Sequence, residues 1–578
     1  MWKQASLRSV ALATAALCLS AGLQVRDVAA LTPSELRATG QDAAPPAQSA
    51  PGVLDQGLLE DLRLKRLYET RSFLPIWLDA EASGLSARGE DALLALADAD
   101  SQGLDPALYQ VREIETARRE GRWQEVDLLI SSGLLGYLGD QLRGREALRD
   151  QGAGLDGNET PVDPVEAVSR LAAAPDLAAA LAALAPRHPQ YERLRRTLAE
   201  LRQVAAGGGW TRVPEGETLD PGMRNPRVVL LRERLAGRDP AVETPAGEAV
   251  GASSVGAAGA DKSDPAHFDQ ALERAVRSFQ QRSGLAVDGR VGPKTLAALN
   301  RTAAELVEVV QANMERWRWL PQDLGPRYLL VNTAGYDLRV VEDGEVVLRM
   351  PVVTGTPARA TPMFSAEMSY LEVNPTWTVP PTIFAEDYLP ELREDPGYLA
   401  RQRITLYASW SESAVPIDPY SIDWHAVRAS PRSLPYRLVQ SPGPHNALGR
   451  IKFMMPNRHT IYLHDTNHPE LFSRSRRALS SGCVRLARPD DLAKLVLKDA
   501  EGWDMERLQA LYASGESDRI SLQRSWPVHM VYFTVWVDGD GTTHFYDDVY
   551  GRDRALVEQL RSSEVLLAEE PLGRTGRS

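Results

Sequence analysis

The chain has 578 residues, of which 43% are hydrophobic and 25% charged, a composition typical of a soluble protein with several domains and sizeable cores. It excludes a wholly disordered chain, a collagen-like repeat and a polytopic membrane protein. The formal net charge of −13 argues against nucleic-acid binding, which needs a basic face. The chain has only two cysteines, Cys18 and Cys483, so neither a disulfide framework nor a cysteine-based zinc cluster is expected.

Residues 1–30 predict a targeting segment. A short basic stretch precedes an apolar run at 10–23, which is shorter than the roughly 20 residues of a comfortable membrane span. Small residues at 28–30 (Val-Ala-Ala) offer a cleavage site. The segment is therefore an export signal or an uncleaved N-terminal anchor, followed at 31–52 by a linker rich in Ala, Pro, Gln and Ser. Both alternatives place the rest of the chain outside the cytoplasm.

The two cysteines are therefore expected to have different roles. Cys18 lies within the targeting segment, which leaves Cys483 as the single cysteine of the exported part. A lone thiol in an oxidising compartment has no intramolecular partner and is open to oxidation. A buried, inert cysteine is the alternative, and the residues around Cys483 must decide between the two.

Residues 53–220 predict a helical scaffold domain. Leu54, Leu58 and Leu62 recur four apart, on one face of a helix. Ala-rich sequence around 93–96 also favours a helix. The region contains no motif that indicates chemistry, and further helices are expected near 125–148, 163–184 and 188–206.

Residues 226–300 predict a separate compact unit of three helices. Hydrophobic residues recur at helical spacing in the first two helices, and the third begins near Thr295. The run AVRSFQQRSGLAVDGRVGPKTLAAL closely resembles the three-helix peptidoglycan-binding module. The resemblance implies attachment to cell-wall glycan or peptide, and a helical spacer that has lost binding remains the alternative.

Residues 301–326 are expected to form a helical connector whose apolar side chains make a hydrophobic seam between domains; these are Met314, Trp317, Trp319 and Leu320.

A β-rich domain is expected at 327–500. The runs YLLVNTA, YDLRVV and EVVLRMPVVTG are separated by Gly or Asp-Gly turns, as in neighbouring strands. Residues 382–440 interrupt the strands with mixed helix and loop, so we interpret them as an insertion over one face. Residues 501–578 are expected to be a C-terminal extension with a hairpin at 528–549, turning at 538–541. More strands are expected near 365–374, 450–454, 460–464 and 482–486, and a helix at 490–499.

The residues that indicate catalytic chemistry lie in the segment that ends in Ser480-Ser481-Gly482-Cys483. An apolar strand ends in His464, a polar loop follows, and Gly482 lets the backbone bend next to Cys483. A thiol attacks well as a thiolate, and a nearby imidazole is expected to lower its pKa and to carry protons. The amides of Gly482 and Cys483 could point at one spot, as donors for a developing oxyanion.

His464 followed by SSGCVR resembles the signature of the L,D-transpeptidase catalytic domain. The runs NPTWTVPPTI, SPGPHNALGRIKFMMPN and LHDTN are similar to the large periplasmic L,D-transpeptidases of Gram-negative bacteria. Many members of the family have a histidine where this chain has Ser481. A backbone role at this position survives the change, whereas a side-chain role does not carry over.

The resemblance implies a mechanism. Cys483 would attack the carbonyl of the third residue of a tetrapeptide stem, and D-Ala would leave with a proton from His464. An amine of a second stem would then attack the resulting thioester and form a 3→3 cross-link. A backbone carbonyl, placed at Asp465, would orient the imidazole. The resemblance also implies a periplasmic enzyme without metal or nucleotide cofactor that carbapenems acylate.

Three further residues are candidates for substrate binding. Arg485 follows the nucleophile and would bind a substrate carboxylate or pair with an acidic neighbour. Tyr462 shares the strand face of His464 and would form a wall, act at the oxyanion or pack in the core. Trp377, together with the insertion, would cap the donor site or belong to a structural elaboration.

Other polar residues in this region have plainer interpretations. His464 and His468 have the spacing of a helical zinc site, but Pro469 and the strand-like sequence before it argue against a helix, so no metal is expected. Arginines of the loop between His464 and Cys483 are either solvated or contact the carboxylates of stem peptides; these are Arg474, Arg476 and Arg477.

The sequence therefore predicts a multidomain α+β protein with a helical scaffold, a three-helix peptidoglycan-binding domain and a β-rich L,D-transpeptidase domain. Expected partners are stem peptides and glycan, with other cell-wall synthases as further candidates, and the membrane only if residues 1–30 stay uncleaved. Transfer to water, giving a carboxypeptidase or endopeptidase, and transfer to a lipoprotein lysine remain open. The rival from another class is a non-catalytic wall-binding scaffold.

Overall fold

The computed structural model describes Leu54 and residues 61–145, 163–236, 264–430 and 434–569, which belong to one compact unit. The expected targeting segment at 1–30 and linker at 31–52 lie outside the described residues.

The N-terminal part is helical, as expected, but Leu54 and Leu62 do not share the expected helix face: Leu54 is buried outside a helix, whereas Leu62 begins a helix and is 80% exposed, and Leu58 lies outside the described residues. Capping carboxylates explain several of its helix starts, because the side chains of Asp61, Asp163 and Asp176 each accept from a backbone N–H of the first turn. Its helices are α1 (Leu62–Glu69), α2 (Ala87–Ala97), α3 (Val111–Arg119), α4 (Trp123–Arg143), α5 (Pro164–Ala173), α6 (Leu177–Ala182) and α7 (Pro189–Ala206).

A buried carboxylate organises the centre of this helical part. Asp127 of α4 accepts from the Tyr68 hydroxyl and from the backbone N–H groups of Ile76 and Trp77. The indole of Trp77 donates to Ser131 at 2.8 Å, one turn further along α4. These hydrogen bonds satisfy polar groups that would otherwise be costly to bury.

The next helices are α8 (Arg227–Ala236), α9 (Gln270–Arg282) and α10 (Pro293–Leu299). Gln280 ties them together, because its amide donates to Asp288 at 2.7 Å and to the Arg290 carbonyl at 2.8 Å, in the turn between α9 and α10. The hydrophobic core of this unit is continuous with that of α7 and of the C-terminal part of the chain.

Helix α11 (Ala303–Arg318) connects the helical and β-rich parts, and a capping box of Thr302 and Glu305 begins it. The Trp317 ring stacks between His188 and Phe533, with ring centroids 4.3 Å away on each side. All four residues of the expected seam are buried in one cluster, which confirms that prediction.

The β-rich part is built on a nine-stranded sheet of order β10-β3-β11-β9-β8-β4-β12-β1-β2, in which β2 also pairs with β3, so the sheet closes on itself. Its interior is apolar and includes Phe453 and Trp526. The strands are β1 (Arg327–Asn332), β2 (Asp337–Glu342), β3 (Glu345–Gly355), β4 (Phe364–Val373), β8 (Ile451–Met454), β9 (Leu463–His464), β10 (Ala478–Ser480), β11 (Val484–Leu486) and β12 (Asp518–Val531).

The C-terminal segment differs from the expected extension. Strand β12 lies between β4 and β1, antiparallel to the first and parallel to the second, so it is a central strand of the sheet. The expected hairpin is shorter than 528–549, because 528–531 belong to β12; its strands are β13 (Val535–Val537) and β14 (Thr543–Phe545). The remaining helices here are α15 (Pro489–Val496), α16 (Met505–Ser514) and α17 (Arg552–Glu569).

The insertion has a core of its own, which includes Phe384 and Trp424. Its three-stranded sheet has the order β5-β7-β6 and begins at Trp377, before the expected start of the insertion. Its elements are β5 (Trp377–Thr378), α12 (Pro381–Ile383), a π-helical turn (Phe384–Tyr388), α13 (Leu389–Glu394), α14 (Tyr398–Arg401), β6 (Ile404–Tyr407) and β7 (Arg437–Gln440).

None of the helices in the described ranges combines the length and the apolar character needed to cross a bilayer.

Candidate functional site

The strand register brings the predicted site residues together. Strands β9 and β11 run parallel with His464 opposite Arg485, and the backbone N–H of Val484 donates to the Tyr462 carbonyl at 3.2 Å. Because side chains alternate along a strand, Tyr462, His464, Cys483 and Arg485 face the same side of the sheet.

The imidazole of His464 is buried and held in one orientation. Its Nδ1 lies 2.6 Å from the backbone carbonyl oxygen of Asp465, the residue that the resemblance places there. Burial lowers the pKa of His464 to about 3, and the positive charges of Arg485 and Lys452 act in the same direction. The ring is therefore neutral near pH 7. Since a carbonyl oxygen only accepts, Nδ1 carries the proton and Nε2 keeps a lone pair.

The thiol of Cys483 is half-buried and uncharged at rest. Burial raises its pKa, and this outweighs the opposing hydrogen bonds from Tyr462 and the charges of Lys452 and Arg485. This corrects the expectation that the imidazole lowers the thiol pKa, because a neutral imidazole offers no charge to stabilise a thiolate. The resting pair is thus a thiol and a neutral imidazole.

Tyr462 and Trp377 meet at the thiol. The Tyr462 side chain lies beside Cys483 and Trp377, and burial raises the pKa of Tyr462 well above its usual value, so the phenol keeps its proton. The Lys452 ammonium lies 4.3 Å from the centre of the Tyr462 ring. Both aromatic residues singled out from the sequence therefore line the space beside the sulfur.

Gly482 has a positive φ of 117°, a conformation that side chains rarely allow. Its N–H donates to the Ser480 hydroxyl at 3.2 Å, and that hydroxyl donates to the Cys483 carbonyl at 2.6 Å. The Gly482 amide is therefore engaged within the loop. This corrects the expectation that it points with the Cys483 amide toward one oxyanion.

Ser481 is exposed and links two parts of the domain. Its hydroxyl accepts from the Arg359 guanidinium at 2.8 Å. The same guanidinium pairs with Glu386 and with Asp387, at 2.5 Å and 2.7 Å, in the π-helical turn of the insertion. Arg359 thus holds the start of the insertion against the residue two positions before the nucleophile.

Arg485 is a half-buried cation without a carboxylate partner among the described ion pairs. Its buried Nε has no hydrogen-bond acceptor in the described part of the chain. Burial lowers the pKa of Arg485, partly offset by Cys483 and Glu470. A desolvated guanidinium on the face of the nucleophile is suited to an incoming carboxylate.

Sequence reasoning missed three residues near the site. Lys452 lies opposite His464 on β8 and pairs with Glu372 at 3.0 Å; the alternation in Ile-Lys-Phe-Met is the signal that could have found it. Thr361 and Arg359, in the loop after β3, contact the Ser480–Cys483 loop. Their distance along the chain left no local signal.

His468 does not join His464, because it lies outside β9 and its Nδ1 is 3.0 Å from Glu470. Within the described ranges no group of three or more His, Cys, Asp or Glu side chains is arranged to hold a metal ion.

Comparison with protein families agrees with this architecture. Residues 326–505 match the family described as L,D-transpeptidase catalytic domain. Residues 63–198 match a family described as scaffold domain, and residues 256–299 one described as "Putative peptidoglycan binding domain". The β-rich part is thus similar to L,D-transpeptidase catalytic domains, and two helical parts are similar to a scaffold domain and to a peptidoglycan-binding domain.

Individual proteins give the same family name. The chain is 35% identical over 253 residues to a Haemophilus influenzae protein named "Putative L,D-transpeptidase"; the match covers 44% of this chain and 50% of that protein. The chain thus spans about half the length of this curated relative.

Solved structures with similarity include an L,D-transpeptidase from Mycobacterium smegmatis, at 13% identity and a TM-score of 0.17, with 36% of this chain and 58% of that chain covered. Another is an L,D-transpeptidase from Xylanimonas cellulosilytica, at 15% identity and a TM-score of 0.15, with 55% and 99% covered.

Proposed function

We propose that this protein is an L,D-transpeptidase that forms 3→3 cross-links between peptidoglycan stem peptides through a thioester on Cys483. The observation that carries the proposal is the placement of Cys483 immediately before β11, beside the parallel strand β9 that ends in His464, with the imidazole tautomer set by the Asp465 carbonyl. The substrate class rests on the matches to a peptidoglycan-binding domain and an L,D-transpeptidase domain.

Acylation begins from the neutral pair. The Cys483 sulfur attacks the carbonyl carbon of the third stem residue while Nε2 of His464 takes the thiol proton. The C–S bond forms, and the amide bond to the terminal D-Ala then breaks. His464 returns its proton to the departing nitrogen, so that D-Ala leaves as an amine and a thioester remains. Because the resting imidazole is neutral, it accepts this proton without a prior ionisation.

Transfer to the acceptor reverses these roles. A side-chain amine of a second stem attacks the thioester carbonyl, and His464 takes the proton that the amine loses. A C–N bond forms and the C–S bond breaks, and the sulfur recovers its proton from His464. The energy of the broken peptide bond is retained in the thioester, so the reaction needs neither metal nor nucleotide.

The oxyanion of both steps needs donors other than the Gly482 amide. We assign this role to the Tyr462 hydroxyl and the Cys483 backbone N–H. The phenol adjoins the sulfur and keeps its proton, because burial raises its pKa. A single oxyanion donor typically contributes ~10²–10³ in rate.

Arg485 and Trp377 are assigned to substrate binding. The unpaired guanidinium of Arg485 would bind a stem carboxylate, and this would also relieve the cost of its own desolvation. Trp377, where the insertion sheet begins, would form a wall of the donor site. The insertion, held to Ser481 by Arg359, would then cover this side of the site.

The test is mass spectrometry of muropeptides incubated with purified protein. Wild type should yield 3→3 linked dimers and free D-Ala, whereas Cys483→Ala should yield neither. His464→Ala should lose most activity, and the matched control His468→Ala, an exposed histidine outside the site, should keep it. Tripeptide monomers without dimers would instead establish a hydrolase.

A second measurement separates an enzyme from a non-catalytic scaffold. Carbapenem treatment should add one adduct mass to wild type and none to Cys483→Ala. An unchanged wild-type mass, together with no muropeptide products, would favour the scaffold. We also propose that the protein acts in the periplasm, where it would meet a wall substrate and where other cell-wall synthases are candidate partners.

A further inference from the structure

A cleft of about 920 Å³ lies where the peptidoglycan-binding unit meets the catalytic domain. Its walls come from the turn after α9, the ends of β1 to β3, the loop at 473–477 and the β13–β14 hairpin. This volume is typical of a site for a short peptide or a disaccharide. We call it the interdomain cleft. Cys483, His464 and the other residues assigned to catalysis do not line it.

The interdomain cleft is preformed around Tyr546. A Cβ at Gly284, in the turn after α9, would lie 3.3 Å from the Tyr546 ring, and a Cβ at Gly335, between β1 and β2, would lie 2.9 Å from it. The ring also stacks near His544, with centroids 5.8 Å apart. Because these two glycines have no side chain, the Tyr546 ring can contact both walls of the cleft. This shared contact fixes the distance between the walls.

Two guanidiniums in the loop at 473–477 reach the cleft without a carboxylate partner among the described ion pairs. Arg477 is anchored by backbone carbonyls, with hydrogen bonds to Val352 at 3.2 Å, Tyr336 at 3.1 Å and Arg474 at 2.8 Å. Arg474 itself is exposed. Neither guanidinium forms an ion pair among the described residues, although the charge of Asp337 acts on Arg477 and Arg474 acts on Glu470.

The acidic residues of the cleft are not equivalent. Asp337 pairs with Arg339 and Arg349, and Asp538 pairs with His544 at 2.8 Å. Asp547, on the hairpin side, has no ion-pair partner within the described residues. The cleft thus offers two guanidiniums on one segment and one carboxylate on another that form no ion pair among the described residues, although the charge of Asp547 acts on Arg301.

This charge pattern selects among the pieces of the cell wall. A neutral sugar chain would offer none of these three groups an ion-pair partner in exchange for the water that it displaced. A stem peptide carries several carboxylates and a free amine, which match guanidiniums and a carboxylate respectively. The pattern therefore favours peptide over glycan.

The cleft is also connected to the nucleophile. Strand β3 runs from Pro351, which lines the cleft, to Gly355, which pairs with Ser480. This is about 13 Å at the usual rise of ~3.3 Å per residue. The loop that carries Arg474 and Arg477 leads directly into β10.

We propose that the interdomain cleft binds a second stem peptide of peptidoglycan through Arg474, Arg477 and Asp547 and so holds a neighbouring strand beside the catalytic centre. Tethering of this kind raises the local concentration of the strand without any new contact at the nucleophile. The inference rests on the proposed function for its substrate class but concerns a separate site.

Calorimetric titration of the full chain carrying Cys483→Ala with a soluble disaccharide tetrapeptide tests the proposal without turnover. Adding Arg474→Glu or Asp547→Lys should weaken binding at one site at least tenfold. The matched control Arg476→Glu changes the same loop at a position that does not line the cleft, so it should leave the isotherm unchanged. Acetylating the stem amine should weaken binding to the Cys483→Ala chain but should have no further effect once Asp547→Lys is present.

Three results would overturn the proposal: identical isotherms for Arg474→Glu and its control, an unchanged effect of acetylation in Asp547→Lys, or binding of stem-free glycan that Arg474→Glu abolishes. Cross-linking assays keep this outcome separate from the proposed function. An absence of dimers from wild type with every acceptor would refute the transpeptidase alone. Normal dimer formation with unchanged binding in all variants would refute the cleft alone.

Discussion

The hydroxyl of Thr361 supports the backbone of Gly482, one residue before the nucleophile. Oγ1 of Thr361 donates to the Gly482 carbonyl at 2.7 Å and accepts from the Gly355 N–H at 3.0 Å, and the side chain is buried. One hydroxyl thus ties the Ser480–Cys483 loop to the end of β3. The position of Cys483 depends on a residue more than a hundred positions earlier in the chain.

We expect Thr361→Val to displace this loop, because valine keeps the shape but leaves the Gly482 carbonyl and the Gly355 N–H without their partner. An unsatisfied buried group costs about 1–3 kcal/mol. The turnover rate should fall at least tenfold, with a lower free energy of unfolding in urea. Thr361→Ser keeps the hydroxyl and should restore most of the rate; equal losses in both variants would contradict the role of this hydrogen bond.

Tyr462→Phe tests the assignment of the phenol to the oxyanion. Removing one donor should lower the acylation rate by ~10²–10³ while leaving the affinity for stem peptide nearly unchanged. Single-turnover measurement of D-Ala release gives this rate directly. Tyr407→Phe, in β6 of the insertion, serves as the control and should behave as wild type. A Tyr462→Phe variant with a normal rate would remove the phenol from the mechanism.

Arg359→Ala should loosen the insertion without disturbing the nucleophile itself. The guanidinium is bound to Glu386, Asp387 and Ser481 together, so its loss frees both sides. Hydrogen exchange should become faster in the π-helical turn at 384–388, and KM for the donor should rise more than kcat falls. Arg401→Ala breaks an ion pair to Asp395 within the insertion and is the matched control. Unchanged exchange at 384–388 would show that Arg359 does not hold the insertion.

The pH dependence follows from the neutral resting pair. Burial raises the pKa of Cys483, so the thiol stays protonated until the pH exceeds its ordinary range, and alkylation by iodoacetamide should be slow at pH 7. Burial lowers the pKa of His464 to about 3, so its base form persists as the pH falls below the usual 6.5 of histidine. Acylation should therefore decline only as the pH approaches about 3. A decline centred near 6.5, or rapid alkylation at neutral pH, would indicate a thiolate–imidazolium pair instead.

Residues that act locally could be predicted from the sequence. The spacing of His464, Gly482 and Cys483 sufficed to identify one strand face and one bend, and Pro489 with its acidic first turn marked the start of α15. The β-rich runs, with Gly and Asp-Gly turns between the first three of them, likewise located β1 to β4 to within two residues. Each of these features depends on backbone geometry that neighbours in the chain determine.

Long-range pairing could not be predicted in the same way. The sequence predicted a hairpin from residue 528 but not the strand at 518–531 or its place in the sheet, because strand order depends on packing across the whole sheet. The pKa of Cys483 was expected to be low from residue types alone, yet it depends on how completely the loop excludes water. The Gly482 amide was assigned to an oxyanion because the competing Ser480 hydroxyl is visible only in three dimensions.

The central position of β12 has a consequence for the order of events in synthesis. A chain emerges from the ribosome N-terminus first. The sheet beside His464 and Cys483 therefore lacks its inner strand β12 until residue 531 has emerged. In a chain that ended before β12, β1 and β4 would lack the strand that pairs with both, and Cys483 would lie beside an incomplete sheet. Reactivity toward acyl groups would then require the chain up to residue 531.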